Sequence, residues 1–311
     1  MRAPVSALLP VRNGETWIQG TIDNLNRTLS CHDEIVIVDD NSTDRTVEIL
    51  KSAKFKCSTK IVLNKSKGLV SALNLGILES TNLWIARFDV DDYYLDQRID
   101  IQMSSIDENI VAIFSDYEIF SEEGEYLGYI PSPITHLATY ISLLNSERTP
   151  HPSVIFRKDA VSQVGGYIES DFPCEDLSLW LRLAKVGKLA GAPYPLLQYG
   201  LRKTSISGSR YIEAKRKTLD VTNRYFDYGI KLDLISVKDS IFIYNNVSHS
   251  LERRLLLIRD IVELNRKSRV SFALKLFLIR ESLFLFANYK IIARSVRQLR
   301  YRAKRRKYRS L

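Results

Sequence analysis

The chain has 311 residues, 45% of them apolar and 10% aromatic, and a formal charge of +9. That composition supports a real core in one large domain with an appendage, or in two domains, and excludes a disordered chain. Cys31, Cys57 and Cys174 are odd in number and widely spaced, which argues for a reducing compartment and against a cysteine metal cluster.

The charge is unevenly placed. Ten cations and no acid lie between Lys290 and Leu311, which leaves residues 1–289 close to neutral. The N-terminal apolar stretch is short and runs into Pro10-Val11-Arg12-Asn13-Gly14 without a small-residue cleavage pattern, so no signal peptide is expected. Lys275, Arg280 and Glu281 interrupt the most apolar late segment, so no transmembrane helix is expected either.

In chain order, Val5 to Leu9 reads as a first strand that stops at Pro10, with a turn at Asn13-Gly14. Trp17, Ile18, Ile22, Leu25 and Leu29 then fall at helical spacing within residues 15–29. Glu34 to Val38 is a second strand, followed by Asp39-Asp40-Asn41-Ser42, where Ser42 or Thr43 is expected to cap a helix running to Ser52. Lys60 to Leu63 is a third strand, Gly68 opens a helix through Ile77, and Leu83 to Phe88 is a fourth strand. This alternation predicts an α/β fold with a mostly parallel, Rossmann-like sheet flanked by helices.

Beyond it, Leu95 to Ile106 reads as a helix and Ile110 to Phe114 as a strand. Tyr117 to Phe120 with Tyr126 to Ile130 reads as a hairpin, and Val154 to Arg157 as a strand. Leu177 to Val186 reads as a helix, and 187–194 and 196–201 as two extended pieces. From Tyr211 the pattern is helical.

The chemistry gathers at strand ends. The fourth strand ends in Asp89-Val90-Asp91-Asp92, and an extended backbone would turn Asp89 and Asp91 to the same side. Two such carboxylates repel unless a cation sits between them, and a hard divalent ion held by carboxylates and substrate phosphates fits. The first strand ends in Pro10, Arg12 and Asn13 and the second in Asp40; in a parallel sheet all three ends border one crevice. Lys67 and Arg87 are the nearby cations, each readable as a phosphate ligand or as a solvated surface charge.

Cys174-Glu175-Asp176 opens a helix, where acids are favoured by the helix dipole alone. A transferase onto a hydroxyl also needs one carboxylate as base, and a single base suits direct displacement with inversion. His151 precedes a strand, and Arg202 follows Tyr199-Gly200-Leu201 in a loop that reads as a diphosphate cover or as an ordinary turn.

Five segments together resemble the family 2 glycosyltransferases, which use nucleotide sugars on a GT-A fold. They are Leu8 to Gly14, Ile35 to Asp44, Lys67 to Gly76, Ile85 to Asp92 and Glu175 to Arg182, in the family's order within residues 5–205. His151 to Arg157 is also similar to a segment of bacterial members.

The resemblance implies that Pro10, Arg12 and Asp40 border the nucleotide base, and that Asp89 faces the ribose or the metal. It implies that Asp91 ligates Mn2+ or Mg2+ on the diphosphate, and that Asp176 is the base. Arg12 departs from the family's frequent aromatic residue, although a guanidinium also stacks. Gln198 and Arg202 lack the Trp of the processive members' motif, so single-sugar addition is expected.

Residues 1–211 are expected to form the catalytic domain, with donor binding in about 1–100 and the acceptor half, with His151 and Glu175, in 101–211. Residues 212–311 are expected to form a helical, basic extension. Its segment 268–311 suggests an anionic membrane surface, set against a packed helical subdomain with a loose tail. Nucleic acid ranks low as a partner, because no nucleic-acid fold accompanies the basic run.

The expected activity is inverting, metal-dependent transfer of a sugar from a nucleotide-diphosphate donor to a glycan or lipid-linked glycan. The expected location is the cytoplasm, peripheral on the inner membrane face. The rival readings are a nucleotidyltransferase, which lacks its Gly- and Arg-rich loop here, and a non-catalytic nucleotide-sugar binder.

Overall fold

The computed structural model describes residues 2–144, 149–202 and 211–226. The first half follows the expected alternation: β1 (Val5–Val11), α1 (Ile18–Thr28), β2 (Glu34–Asp39), α2 (Thr46–Ser52), β3 (Ser58–Leu63), α3 (Leu69–Glu79) and β4 (Trp84–Arg87). Then come β5 (Tyr93–Tyr94), α4 (Arg98–Ser104), β6 (Ile110–Ser121), β7 (Tyr126–Ile130) and α5 (His136–Leu144). The described chain ends with β8 (Ile155–Arg157), α6 (Lys158–Gln163), α7 (Glu175–Leu183), β9 (Lys188–Leu201) and α8 (Tyr211–Phe226).

One nine-stranded sheet runs in the order β3-β2-β1-β4-β8-β6-β9-β5, with β7 added beside β6. The block β3-β2-β1-β4 is parallel. Strand β8 pairs antiparallel with both β4 and β6, and β9 is parallel to β6 and antiparallel to β5. The sheet is therefore mixed, and "mostly parallel" holds for its first half. Strands β1, β2 and β4 are buried along their whole length, as expected of parallel strands covered on both faces.

Helix α1 turns Ile18, Ile22 and Leu25 inward at helical spacing. Helix α3 comes close to β1 and β2 at Gly76, where an added Cβ would collide with Leu8 and lie 3.1 Å from Val38 Cγ2. Helix α8 begins where the helical pattern was expected, with Val221 and Tyr225 buried. The rest of the expected helical extension, including 268–311, lies outside the described residues. Among the described residues no helix is long and apolar enough to cross a membrane.

Four expectations need correcting. Ser42 and Thr43 do not cap α2, whose N-cap is Arg45 with no side-chain hydrogen bond. They tie down the first loop instead: Asn13 N–H donates to Ser42 Oγ at 2.9 Å, and Thr43 N–H donates to Asn13 Oδ1 at 2.8 Å. The segments 110–114 and 117–120 are one strand, because Ser115 and Asp116 are buried and Asp116 Oδ1 accepts the Ser132 N–H at 2.7 Å. Strand β9 continues past Pro193 and Pro195, and its pairing with β6 shifts register there. A proline cannot donate to a ladder, so an irregularity at that point absorbs it. Finally, residues 90–91 form a turn, so the chain is not extended between Asp89 and Asp91.

Candidate active site

The strand ends meet as the parallel block requires. Val11 lies opposite Asp39, and Asp39 opposite Leu63, so β1, β2 and β3 stop level. Strand β4 stops earlier, with Arg87 opposite Leu8. The chain then continues beside β1: Phe88 N–H donates to the Leu8 carbonyl at 2.9 Å. A Cβ on Gly14 would lie 3.1 Å from Val90 Cγ2, so the first loop and the acidic turn are in contact.

On the β2 side, Asp40 is buried and accepts from Asn64 Nδ2 at 2.7 Å and from Gly68 N–H at 2.8 Å. This builds the loop before α3, where Lys67 and Gly68 take φ values of 55° and 102°. Gly68 suits a left-handed backbone; Lys67 adopts one at a cost that the Asp40 bonds offset. The Lys67 side chain and Arg12 are exposed. Gly68 also faces the second half, since a Cβ there would lie 3.9 Å from Glu169 Oε1.

The acidic turn is braced by two guanidinium groups. Arg87 is buried, with Nη2 2.5 Å from Asp89 Oδ1, which removes the reading of Arg87 as a solvated surface cation. Arg202 Nη1 lies 2.6 Å from Asp91 Oδ2. Asp92 Oδ1 accepts the Gly200 N–H at 3.0 Å. Tyr94 Oη accepts the Asp89 N–H at 2.7 Å. Arg98, fully buried, stacks 4.6 Å from Phe88 and 4.5 Å from Tyr94 beneath the turn.

Burial pushes the Asp89 carboxyl up, with Arg87 opposing and Asp91 adding to the rise. Burial, then the charges of Asp89 and Asp91, holds Asp92 well above the usual carboxylate range. Asp92 Oδ2 is buried without a hydrogen-bond partner among the described residues. A crowded acid turn with such an oxygen suits a cation. Among the described residues no three His, Cys, Asp or Glu side chains are grouped to hold a metal by themselves. A cation at Asp91 and Asp89 would therefore take further ligands from phosphate, which is how Mg2+ is commonly held.

The second half approaches the same point. Helix α7 begins at Glu175-Asp176, and Arg87 and Asp89 both act electrostatically on Glu175. Arg87 also acts on His151 and Tyr167, and Tyr167 feels Asp176, Glu175 and Asp89. His151 Nε2 is 2.7 Å from Tyr167 Oη, and the Tyr167 backbone exchanges two 2.9 Å hydrogen bonds with the Asn74 amide on α3. Burial pushes His151 well below its ordinary value, so the ring is neutral. Arg87, Asp89, His151, Tyr167, Glu175 and Asp176 thus lie within electrostatic reach of one another. Asp40 reaches the second half only through Gly68, beside Glu169, and Arg202 joins the acidic turn through Asp91.

Sequence reasoning missed Trp17, Tyr94, Arg98 and Tyr167. Trp17 read as an apolar position of the first helix, and nothing in the local pattern signals a buried Tyr94 or Arg98. Tyr167 follows Gly165-Gly166, both at positive φ, and its contact with Asn74 is distant in sequence.

Glu175 and Asp176 are adjacent yet differ. Burial, then Asp176, pushes Glu175 up to about 8, and its Oε2 has no hydrogen-bond partner among the described residues. Asp176 is half-buried, and its Oδ1 accepts the Leu177 N–H at 2.7 Å. Environments that separate two neighbouring carboxyls separate their roles. A carboxyl raised by folding binds protons more tightly in the native state, so stability is full below the unfolded value of 4.5 and falls as pH rises toward about 8. Glu175→Gln, fixed in the neutral form, should lose less melting temperature than the parent between pH 5 and 9. Parallel melting curves across that range would count against a raised Glu175.

The profile of Glycosyl transferase family 2 matches residues 6–165, just over half of the chain. An uncharacterized glycosyltransferase of Rickettsia bellii is 26% identical over 201 residues, covering 64% of this chain and 29% of that protein. The chain therefore spans about a third or less of the length of such Rickettsia relatives. The UDP-Glc:alpha-D-GlcNAc-diphosphoundecaprenol beta-1,3-glucosyltransferase WfgD of Escherichia coli is 25% identical over 257 residues, 78% of this chain and 97% of that protein. Among solved structures, S. aureus TarS 1-349 in complex with UDP-GlcNAc aligns with a TM-score of 0.60 at 17% identity, covering 83% of this chain and 79% of TarS. The mannosyltransferase PcManGT from Pyrobaculum calidifontis, in complex with GDP-Man and Mn2+, aligns with a TM-score of 0.52 at 14% identity, covering 92% of this chain and 81% of the other. These likenesses show the GT-A fold.

Proposed function

The chain belongs to glycosyl transferase family 2, and we propose that it is an inverting, metal-dependent enzyme moving a sugar from a nucleotide-diphosphate donor to an acceptor hydroxyl. One observation carries the reading: the Arg87–Asp89 pair at the end of β4 and the Glu175-Asp176 start of α7 lie within electrostatic reach of each other. That proximity supports placing the donor's diphosphate end and a candidate base in one site.

We assign donor binding to residues 1–100, with Pro10, Arg12, Asn13 and Asp40 around the base. Lys67, Arg87 and Arg202 supply positive charge toward the phosphates. Asp91, with Asp89, would hold Mn2+ or Mg2+, which when bound offsets the charge of the leaving diphosphate. Asp176 accepts the proton of the acceptor hydroxyl, and the freed oxygen attacks the anomeric carbon from the face opposite the diphosphate. The assignment of Asp176 as the single base is what supports the inverting reading. Glu175, uncharged near neutrality, donates a hydrogen bond where Asp176 accepts one, and His151 with Tyr167 backs the acceptor side. The acceptor we favour is a lipid-linked glycan, by analogy with the substrate in the name of the Escherichia coli relative.

The test is a screen of nucleotide sugars for hydrolysis by the full chain, with MnCl2 or with EDTA. One donor should be turned over, and EDTA should abolish turnover. Equal rates with EDTA would remove the metal from the mechanism, and no hydrolysis of any donor would remove the donor assignment.

A further inference from the structure

Arg202 is held on three sides. Its Nη1 is 2.6 Å from Asp91 Oδ2, its Nη2 donates to the Asp91 carbonyl at 3.0 Å, and its Cζ stands 4.4 Å from the centroid of the Trp17 ring. Trp17 is half-buried and precedes α1. Its backbone N–H donates to the Gly14 carbonyl at 2.9 Å, and Gly14 N–H donates to Thr46 Oγ1 at 2.8 Å. The Trp17 backbone is thereby tied to the same loop that touches Val90 in the acidic turn.

We propose that Trp17 is a positioning residue of the donor site, whose indole face keeps the Arg202 guanidinium beside Asp91, where a diphosphate would meet it. The proposal rests on the reading of Asp91 and Arg202 as the diphosphate end of that site. Without ligand, the Asp91 carboxylate and carbonyl share the guanidinium with the indole. Once a cation takes that carboxylate, the ion pair is weakened and the aromatic face carries a larger share of holding the guanidinium, beside the bond to the Asp91 carbonyl. A cation on such a face gains roughly two- to thirtyfold in local affinity, more where water is excluded.

Titration calorimetry of inorganic pyrophosphate in the presence of MnCl2 tests this on the full chain. Trp17→Ala should weaken binding roughly three- to tenfold, the range for a partly exposed pair. Trp17→Phe should recover most of the loss, and melting curves check that both variants fold. Arg202→Ala should weaken binding at least as much, and adding Trp17→Ala to it should cost nothing further. A Trp17→Ala loss of the same size in the Arg202→Ala background overturns the proposal, as does parental affinity in Trp17→Ala. Unchanged binding in Arg202→Ala instead overturns the donor-site reading, and the proposal falls with it. For turnover of a donor, Trp17→Ala should raise KM and leave kcat nearly unchanged.

Discussion

Asp176→Asn is expected to lower sugar transfer roughly 100- to 10,000-fold while leaving donor binding intact, the usual range for removing a general base. Asparagine keeps the shape and can still accept the Leu177 N–H, so the start of α7 should persist. What is lost is the capacity to take a proton, in a place where the helix terminus favours negative charge. Glu175 next door is a poor substitute, because its burial favours the protonated form. Transfer rates and donor binding measured on the same preparation separate the outcomes. Unchanged turnover would remove Asp176 as base, and loss of donor binding would move it to the donor side.

The second large effect is expected at Arg87. Arg87→Met keeps the bulk and deletes the charge that Asp89 meets at 2.5 Å. Removing one partner of a fully buried pair costs about 3–5 kcal/mol. Asp89 keeps 27% side-chain exposure, so about 2–4 kcal/mol is the better expectation. For a domain of this size that is a fall of roughly 4–16 °C in melting temperature. The Asp89 carboxyl, already raised, should then take up a proton and weaken any cation site. Arg87→Lys should fall between the two, since an ammonium keeps the charge and loses the fork. A melting temperature within about 1 °C of the parent in Arg87→Met would show that the pair contributes little.

The first half was legible because its physics is local. Continuous apolar runs such as Ile35 to Val38 can only be covered parallel strands, and each ends in polar residues that the sheet brings to one edge. The second half was harder for reasons visible in particular residues. Strand β5 has two residues, too few to show a period. Helix α5, His-Leu-Ala-Thr-Tyr-Ile-Ser-Leu-Leu, has a weakly polar face that ordinary amphipathic spacing does not reveal. Prolines 193 and 195 suggested a break in a strand that a register shift in fact accommodates.

In the site, the acids were legible as types and their partners were not. Arg87 read equally as a phosphate ligand or a solvated charge, and its pairing with Asp89 is a contact the local pattern does not signal. Arg98 is fully buried against two rings, a circumstance no single-residue propensity reports. Tyr167 meets Asn74 across 93 positions of sequence, a contact that only the folded chain creates.

The most direct measurement is anomalous diffraction from crystals soaked with MnCl2 and UDP or GDP. The expected result is one manganese peak at Asp91, with the diphosphate beside it and Asp176 facing it across the same crevice. A peak elsewhere, or a diphosphate bound away from the turn 89–92, would contradict the common site.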